Sequence, residues 1–233
     1  MNKIEINIKE IQKRLLEPLT KAGWGMVFEP IINSDSFQEL IYSLKKEAEE
    51  GRRFTPPIKD LFRAFEECPY DKLDVMIIGQ DPYPQLGVAD GISFSCSKTM
   101  KEQPSLRYIF NYLETHYIDL DRNPDLKRWS NQGVLMFNTA LTVQVGKIGS
   151  HYSYWNKFTE FILDCINADK KDISVALLGK KAESWEKHLL NQKIYKVPHP
   201  ASAAYKGGKW NAKNIFNDIN EDLKNHNKPI IVW

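Results

Sequence analysis

Four short runs of β-branched and aliphatic residues constrain the fold of this chain most, because they alternate with segments of helical periodicity. The runs are DVMIIG at 74–79, GVLMFN at 133–138, ISVALLG at 173–179 and KIYKVP at 193–198. The helical patterns cover 36–51, 58–67, 104–116, 156–168, 181–190 and 211–224. Such alternation predicts an α/β fold, with a central, short, four-stranded parallel sheet flanked by helices on both faces.

The clearest helical pattern is SFQELIYSLKKEAEEG. Ser36 stands three residues before Glu39, a spacing that predicts a capped helix start, and Gly51 marks the end. Residues 1–22 are expected to form an N-terminal helical extension. A chain of 233 residues, of which 42% are hydrophobic, can bury one core, and no linker divides it, so a single domain over 1–233 is expected.

Charge and cysteine content limit the kinds of partner and the cellular compartment that are expected for the protein. The formal net charge is only +2, so an anionic partner must be met by a local patch of basic residues. The three cysteines include no C-x-x-C pair and no histidine at metal-ligand spacing, which favours a reducing compartment and no metal centre. The sequence has no pattern of an export signal or a membrane span, so we expect a cytoplasmic protein without membrane contact.

Polar residues follow three of the predicted strands. Gln80 and Asp81 follow the first run, Asn138 closes the second, and His199 follows the fourth. Ligands of parallel sheets bind beyond the carboxyl ends of the strands, so these side chains are expected to meet at one edge of the sheet.

The segment IIGQDPYPQLGVADGISFS contains several candidate functional residues. Asp81, partly desolvated at a strand end, has the character of a general base, although an Asp before proline also caps turns. Tyr83 lies between two prolines that restrict the backbone, which suits a rigid wall or a ring packed at the core edge. Phe94 could stack on a planar ligand or belong to the core.

Two later residues add hydrogen-bonding groups. The amide of Asn138 offers both a donor and an acceptor, which suits the edge of a planar amide-like ring, whereas a turn-initiating role is the alternative. His199, in VPHPASAAYKGGKW, lies between two prolines and precedes small residues and lysines that could approach phosphates. A structural role is the alternative for this histidine.

Together the motifs GQDPYP, GISFS, EQPSL, MFNTALTV, GSHYSYW and VPHPASA resemble family 1 uracil-DNA glycosylases, in the same order and at similar spacing, from about residue 23 to the C-terminus. The resemblance implies that Asp81 activates water and supports the cationic sugar, and that His199 hydrogen-bonds the uracil O2. It implies that Tyr83 excludes the thymine methyl group, Phe94 stacks on uracil, Asn138 reads the uracil edge, and the Gln80 backbone contacts the base.

The same resemblance implies the reaction and the partners. Uracil would be flipped out of single- or double-stranded DNA, its N-glycosidic bond hydrolysed, and an abasic site left for base excision repair. Uracil can depart as a delocalised anion, so one carboxylate suffices, and no cofactor or metal is expected. Protein inhibitors of uracil-DNA glycosylases are a second class of partner, and a monomer is expected. Tyr83→Ala should admit thymine, and Asn138→Asp should favour cytosine.

The DNA-contacting loops match less closely. Pro104 and Ser105 correspond to a proline- and serine-rich loop of the family, but the leucine that usually wedges into the DNA is replaced by Ala203. Ser202, Tyr205 and Lys206 remain candidates for DNA contact in this loop. Without the wedge, the enzyme is expected to prefer single-stranded uracil-DNA.

Two alternatives from other functional classes are open to the chain. One is a DNA-binding module that keeps the fold without catalysis, which the complete set of Asp81, Asn138 and His199 disfavours. The other is a metal-independent α/β hydrolase, but the sequence has no G-x-S-x-G motif, and it also lacks a phosphate-binding P-loop.

Overall fold

A computed structural model describes residues 8–205 and 208–233 of the chain. The strands are β1 Phe54–Thr55, β2 Val75–Gly79, β3 Val134–Asn138, β4 Val143–Gln144, β5 Ser174–Leu178 and β6 Lys193–Val197. The helices are α1 Ile8–Lys21, α2 Gly25–Ile32, α3 Asp35–Glu49, α4 Arg63–Glu66, α5 Pro104–Glu114, α6 Lys127–Ser130, α7 Tyr152–Asp169, α8 Lys180–Glu183, α9 Ser202–Tyr205 and α10 Ile215–Asn225. Short 3-10 turns cover Ile58–Asp60, Tyr70–Lys72 and Glu186–His188.

The four predicted strands form one parallel sheet in the order β3-β2-β5-β6. Every residue of β2 and β5 is buried, and because successive side chains of a strand point to opposite faces, both faces of the sheet are covered. Helices α4 and α6 pack against β3, and α8 and α10 pack against β5. The predicted α/β fold is confirmed.

The strand order also locates a crevice. The chain runs from β2 to its neighbour β3 on one side and then crosses to β5 on the other side of β2. Such a reversal opens a crevice beyond the carboxyl ends of the two strands at the switch point, here β2 and β5. The polar segments that follow β2, β3 and β6 therefore end at the same edge of the sheet.

The structure also contains a second sheet, of two strands, which the sequence did not predict. β1 pairs antiparallel with β4, with Phe54 opposite Gln144 and Thr55 opposite Val143. Each strand has only two residues, too few to show an alternating pattern in the sequence. The pairing fixes the start of the loop that runs from β4 to α7.

The helices agree with the predictions in position more than in detail. The N-cap of α3 is Ser34, whose hydroxyl accepts a hydrogen bond from the Phe37 N–H at 3.2 Å, so the predicted start at Ser36 was wrong by two residues. The patterns at 58–67 and 181–190 each form a 3-10 turn and a helix of four residues.

The N-terminal helix packs into the same core as the sheet. Within α1, Leu15 and Leu19 are buried and contact a hydrophobic cluster that includes the strand residues Val75 and Ile77. The helix α2, which the sequence did not predict, adds Phe28 to this cluster. In the described part of the chain, no helix has the length and apolar character needed to cross a membrane.

Candidate active site

A cavity of about 360 Å³ lies beyond the carboxyl ends of the parallel strands. It brings together most of the residues that the sequence singled out. Those that line it are Gln80, Asp81, Tyr83, Phe94, Ser105, Asn138, His199 and Ser202. The convergence predicted from strand ends is thus present in the structure.

Asp81 lies two residues beyond the end of β2. Its Oδ2 accepts a hydrogen bond from the Gly149 N–H at 2.6 Å. Burial raises the pKa of Asp81 above its ordinary value, and the hydrogen bond from Gly149 opposes this by favouring the ionised form. The result is a carboxylate that faces a cavity and is held by one backbone donor.

Tyr83 and Phe94 form one wall of the cavity. The Tyr83 hydroxyl donates a hydrogen bond to the Phe94 carbonyl at 2.9 Å, and burial raises the pKa of Tyr83 well above its usual range. The backbone of Phe94 has φ +65°, a left-handed conformation that bulky residues rarely adopt. The surrounding structure must therefore hold this segment in place, as is common at binding sites.

A charge cluster beneath the cavity holds the Phe94 segment. Asp90 is almost fully buried, and its carboxylate accepts hydrogen bonds from the Ile92 N–H at 3.1 Å and the Ser95 hydroxyl at 2.6 Å. Arg63 of α4 pairs with Asp90 at 2.9 Å and with Asp125 at 2.8 Å. The cluster therefore fixes the chain on both sides of Phe94.

Asn138, the last residue of β3, offers its amide to the cavity. Its Oδ1 accepts a hydrogen bond from the buried Ser93 hydroxyl at 2.8 Å. An amide oxygen has two lone pairs, so it can still accept from a ligand while the Nδ2 group donates. Gly79 makes room for this arrangement, because a Cβ there would lie 2.4 Å from the Asn138 Oδ1.

His199 carries a neutral imidazole. Burial lowers the pKa of His199 to about 4, and its Nδ1 accepts a hydrogen bond from the Ala201 N–H at 3.2 Å. Because Nδ1 is an acceptor, the proton of the neutral ring lies on Nε2, which can donate to a ligand. Gly179 permits this placement, since its φ is +93° and a Cβ there would lie 2.9 Å from the His199 Cβ.

Gln80 links two strands at the edge of the cavity. Its carbonyl accepts hydrogen bonds from the Ala140 N–H at 3.0 Å and from the Thr139 hydroxyl at 2.9 Å. The segment after β2 is therefore tied to the segment after β3. This fixes Asp81 relative to Asn138.

The loop that carries Gly149 rests on a buried polar network. His151 has no exposed surface, and its two ring nitrogens lie 3.0 Å from the Glu47 Oε2 and 2.8 Å from the Thr142 Oγ1. No local sequence pattern assigns a role to His151 or Gly149, although both lie in the motif GSHYSYW. The contact between Gly149 and Asp81 joins residues 68 positions apart, so local pattern could not show it.

Only some of the residues predicted to contact DNA line the cavity. Ser105 and Ser202 line the cavity, whereas Pro104 is the first residue of α5 and does not. Ala203 is 6% exposed and belongs to the hydrophobic core, so its methyl group is not available to enter DNA. The side chain of Tyr205, and the whole of Lys206, lie outside the described residues.

Away from the cavity, one cluster of side chains in the described part of the chain has metal-ligand spacing. Glu160, Asp164 and His188 bring their ligand atoms within 4.8 Å of one another, and His188 Nδ1 already lies 2.7 Å from the Asp164 carboxylate. None of the three lines the cavity.

Comparison with known proteins identifies the family of the chain. Residues 65–224 match the model of the uracil DNA glycosylase superfamily. A uracil-DNA glycosylase 1 of Listeria innocua is 37% identical over 217 residues, which cover 90% of this chain and 96% of that protein. A uracil-DNA glycosylase of Borreliella burgdorferi is 36% identical over 221 residues, which cover 91% of this chain and 96% of that protein.

Solved structures give the same assignment. The crystal structure of mimivirus uracil-DNA glycosylase superposes with a TM-score of 0.84 at 26% sequence identity, over 98% of this chain and 90% of that chain. A variant of the mimivirus protein in complex with UGI has the same TM-score and identity, over 98% of this chain and 91% of that chain. The chain belongs to the uracil-DNA glycosylase superfamily.

Proposed function

We propose that this protein hydrolyses the N-glycosidic bond between uracil and deoxyribose in DNA, which releases uracil and leaves an abasic site, as in the first step of base excision repair. The observation that carries the proposal is the presence, in one cavity, of a carboxylate and of a neutral imidazole with its proton on Nε2. Asp81 and His199 supply these two groups.

Recognition of the base uses the walls of the cavity. The Asn138 amide accepts from the uracil N3–H and donates to O4, while Phe94 stacks on the ring. Tyr83 is held by its hydrogen bond to the Phe94 carbonyl, and we assign to its ring the exclusion of a methyl group at position 5. Gln80 contacts the base through its backbone.

The reaction breaks the bond between C1′ and N1, and the bonding electron pair leaves with uracil. His199 donates its Nε2 proton in a hydrogen bond to O2 as negative charge gathers there. A preorganised donor of this kind is worth about 3 kcal/mol. Asp81 stabilises the cationic sugar and accepts a proton from the attacking water, whose oxygen bonds to C1′. These steps require no metal ion, and the enzyme cleaves only the glycosidic bond.

The base must leave the helical stack to reach this cavity, at a cost of a few kcal/mol. Contacts with the DNA backbone offset that cost, and we assign them to Pro104, Ser105, Ser202, Tyr205 and Lys206. Both single- and double-stranded uracil-DNA are substrates. We further propose that the protein acts as a monomer in the cytoplasm, and that it binds protein inhibitors as the mimivirus variant binds UGI.

The test is release of free uracil from a single-stranded oligonucleotide in the presence of EDTA. We expect release by the wild type and a loss of about 100-fold in kcat for His199→Ala, because one transition-state donor is removed. His226→Ala is the matched control, since this histidine lies in the turn after α10 and does not line the cavity.

Two results would contradict the proposal. Folded wild-type protein that binds DNA without releasing uracil would indicate a binding module. Equal loss of activity in His199→Ala and His226→Ala would show that His199 has no specific role.

A further inference from the structure

The mouth of the cavity carries one strongly exposed apolar side chain, that of Ile148. It is 72% exposed and yet lines the cavity, so it lies where the cavity opens to solvent. Single exposed hydrophobic residues are common on protein surfaces. Among the exposed large hydrophobic residues in the described part of the chain, however, Ile148 alone lines this cavity.

The turn that carries Ile148 makes three backbone hydrogen bonds to other segments of the chain. The Val145 N–H donates to the Arg53 carbonyl at 2.9 Å, and the Gly146 N–H donates to the Pro84 carbonyl at 2.9 Å. On the other side of Ile148, the Gly149 N–H donates to Asp81 at 2.6 Å. The backbone of the turn is therefore held next to the cavity, with direct bonds to Pro84 and Asp81.

Internal hydrogen bonds stiffen the same turn. The Lys147 N–H donates to the Gln144 carbonyl at 2.9 Å, and the Gln144 N–H donates to the Ser150 hydroxyl at 2.9 Å. Gly146 and Gly149 both have positive φ, which the tight path of the chain requires. A backbone held in this way loses little conformational entropy when the turn contacts a ligand.

We infer that Ile148 packs against the base of a nucleotide that flanks the flipped uracil, and so contributes to binding of the DNA. The inference rests on the proposed function, because it takes single-stranded uracil-DNA as the ligand. The hydrocarbon side chain of Ile148 cannot hydrogen-bond a phosphate, but it can cover the flat apolar face of a base. Uracil itself lies deeper in the cavity, against Phe94, Asn138 and His199.

This placement would give the DNA an exposed apolar contact, which the buried Ala203 at the wedge position cannot provide. Ala203 is buried in the core, so its own methyl group is not presented to the DNA. Ile148 provides an apolar contact from the turn between β4 and α7, in which the neighbouring Gly149 N–H donates to Asp81. It lies beside a flanking nucleotide and does not fill the space left in a duplex.

The test is equilibrium binding of a single-stranded oligonucleotide that contains one 2′-deoxy-2′-fluorouridine, whose glycosidic bond resists cleavage. Ile148→Ala is expected to weaken binding about tenfold, because apolar contact area is lost. With abasic residues on both sides of the uridine, the same substitution should have no effect. Ile148→Leu should bind like the wild type, and inhibition by free uracil should be unchanged in Ile148→Ala.

The matched control is Ile118→Ala, which removes an isoleucine that is 93% exposed and does not line the cavity. Equal effects of Ile148→Ala with normal and abasic flanks would overturn the inference, and so would weaker inhibition by free uracil. Because the readout is binding, it is independent of catalysis. Failure of the proposed function would instead appear as absent uracil release by the wild type.

Discussion

At the scale of single residues, burial acts in opposite directions on the two ionisable groups of the cavity. It raises the pKa of Asp81 and lowers that of His199 to about 4, because a poorly solvated site disfavours the charged form of either group. At neutral pH the carboxylate is ionised and the imidazole is neutral. The same environment thus supplies a base and a hydrogen-bond donor.

This pair of shifts predicts the pH dependence of turnover. We expect kcat to fall as the pH is lowered, because Asp81 must be ionised and its pKa is raised. Protonated His199 keeps its Nε2 proton, so the acid limb should persist in His199→Gln at a lower rate. The measurement is kcat between about pH 4 and about pH 8. Disappearance of the limb in His199→Gln would assign it to the histidine.

The position of Tyr83 in the wall of the cavity predicts that the enzyme discriminates against thymine. In Tyr83→Ala the space for a 5-methyl group opens, and discrimination between uracil and thymine should fall by about 100-fold. Release of thymine from a matched oligonucleotide measures this. Tyr42→Ala, which removes an exposed tyrosine of α3, should not release thymine. A folded Tyr83→Ala protein that still rejects thymine would contradict the assigned role.

At the scale of elements, the loop between β2 and α5 depends on a charge cluster more than on regular structure. Arg63 comes from α4, Asp90 from the loop itself, and Asp125 from the segment before α6. They tie three segments together beneath Phe94. The left-handed backbone of Phe94 is therefore held by the nearby Asp90, which in turn pairs with Arg63 from a distant segment.

Removing Arg63 should loosen this loop. Arg63→Met leaves Asp90 buried without its partner, which should lower the free energy of unfolding by about 3 kcal/mol and weaken inhibition by free uracil. Chemical denaturation and uracil inhibition measure the two effects. The double variant Arg63→Met/Asp90→Asn should be less destabilised, because the buried charge is removed.

The control for this prediction is Lys21→Met, which breaks the exposed pair between Lys21 and Glu17 within α1. It should change neither property. If Arg63→Met lowered stability without weakening uracil inhibition, the cluster would support the fold but not the base-binding wall.

At the scale of the whole molecule, the net charge is only +2, so overall charge contributes little to attraction of DNA. Binding of DNA must therefore depend on the individual groups around the cavity. Cleavage of matched oligonucleotides should be at least about tenfold faster on single strands, because flipping from a duplex costs a few kcal/mol and Ala203 cannot assist it. The measurement is kcat/KM on both substrates. A preference for the duplex would contradict this prediction.

The sequence is sufficient to predict the four parallel strands, each to within one residue at either end, because β-branched runs between helical segments leave few alternatives. It also indicated the edge at which Asp81, Asn138 and His199 meet, because parallel strands end together. The two-residue pairing of β1 with β4, the helix α2 and the cap at Ser34 were not predicted.

The surroundings of each functional group, in contrast, depend on the tertiary structure. The donor from Gly149 to Asp81, the partner Ser93 of Asn138 and the burial that keeps His199 neutral all depend on contacts between segments far apart in the chain. The burial of Ala203 and the exposure of Ile148 are likewise invisible in the sequence, where both are simply apolar. Local patterns determine which elements form, whereas solvation and long-range hydrogen bonds depend on how those elements pack.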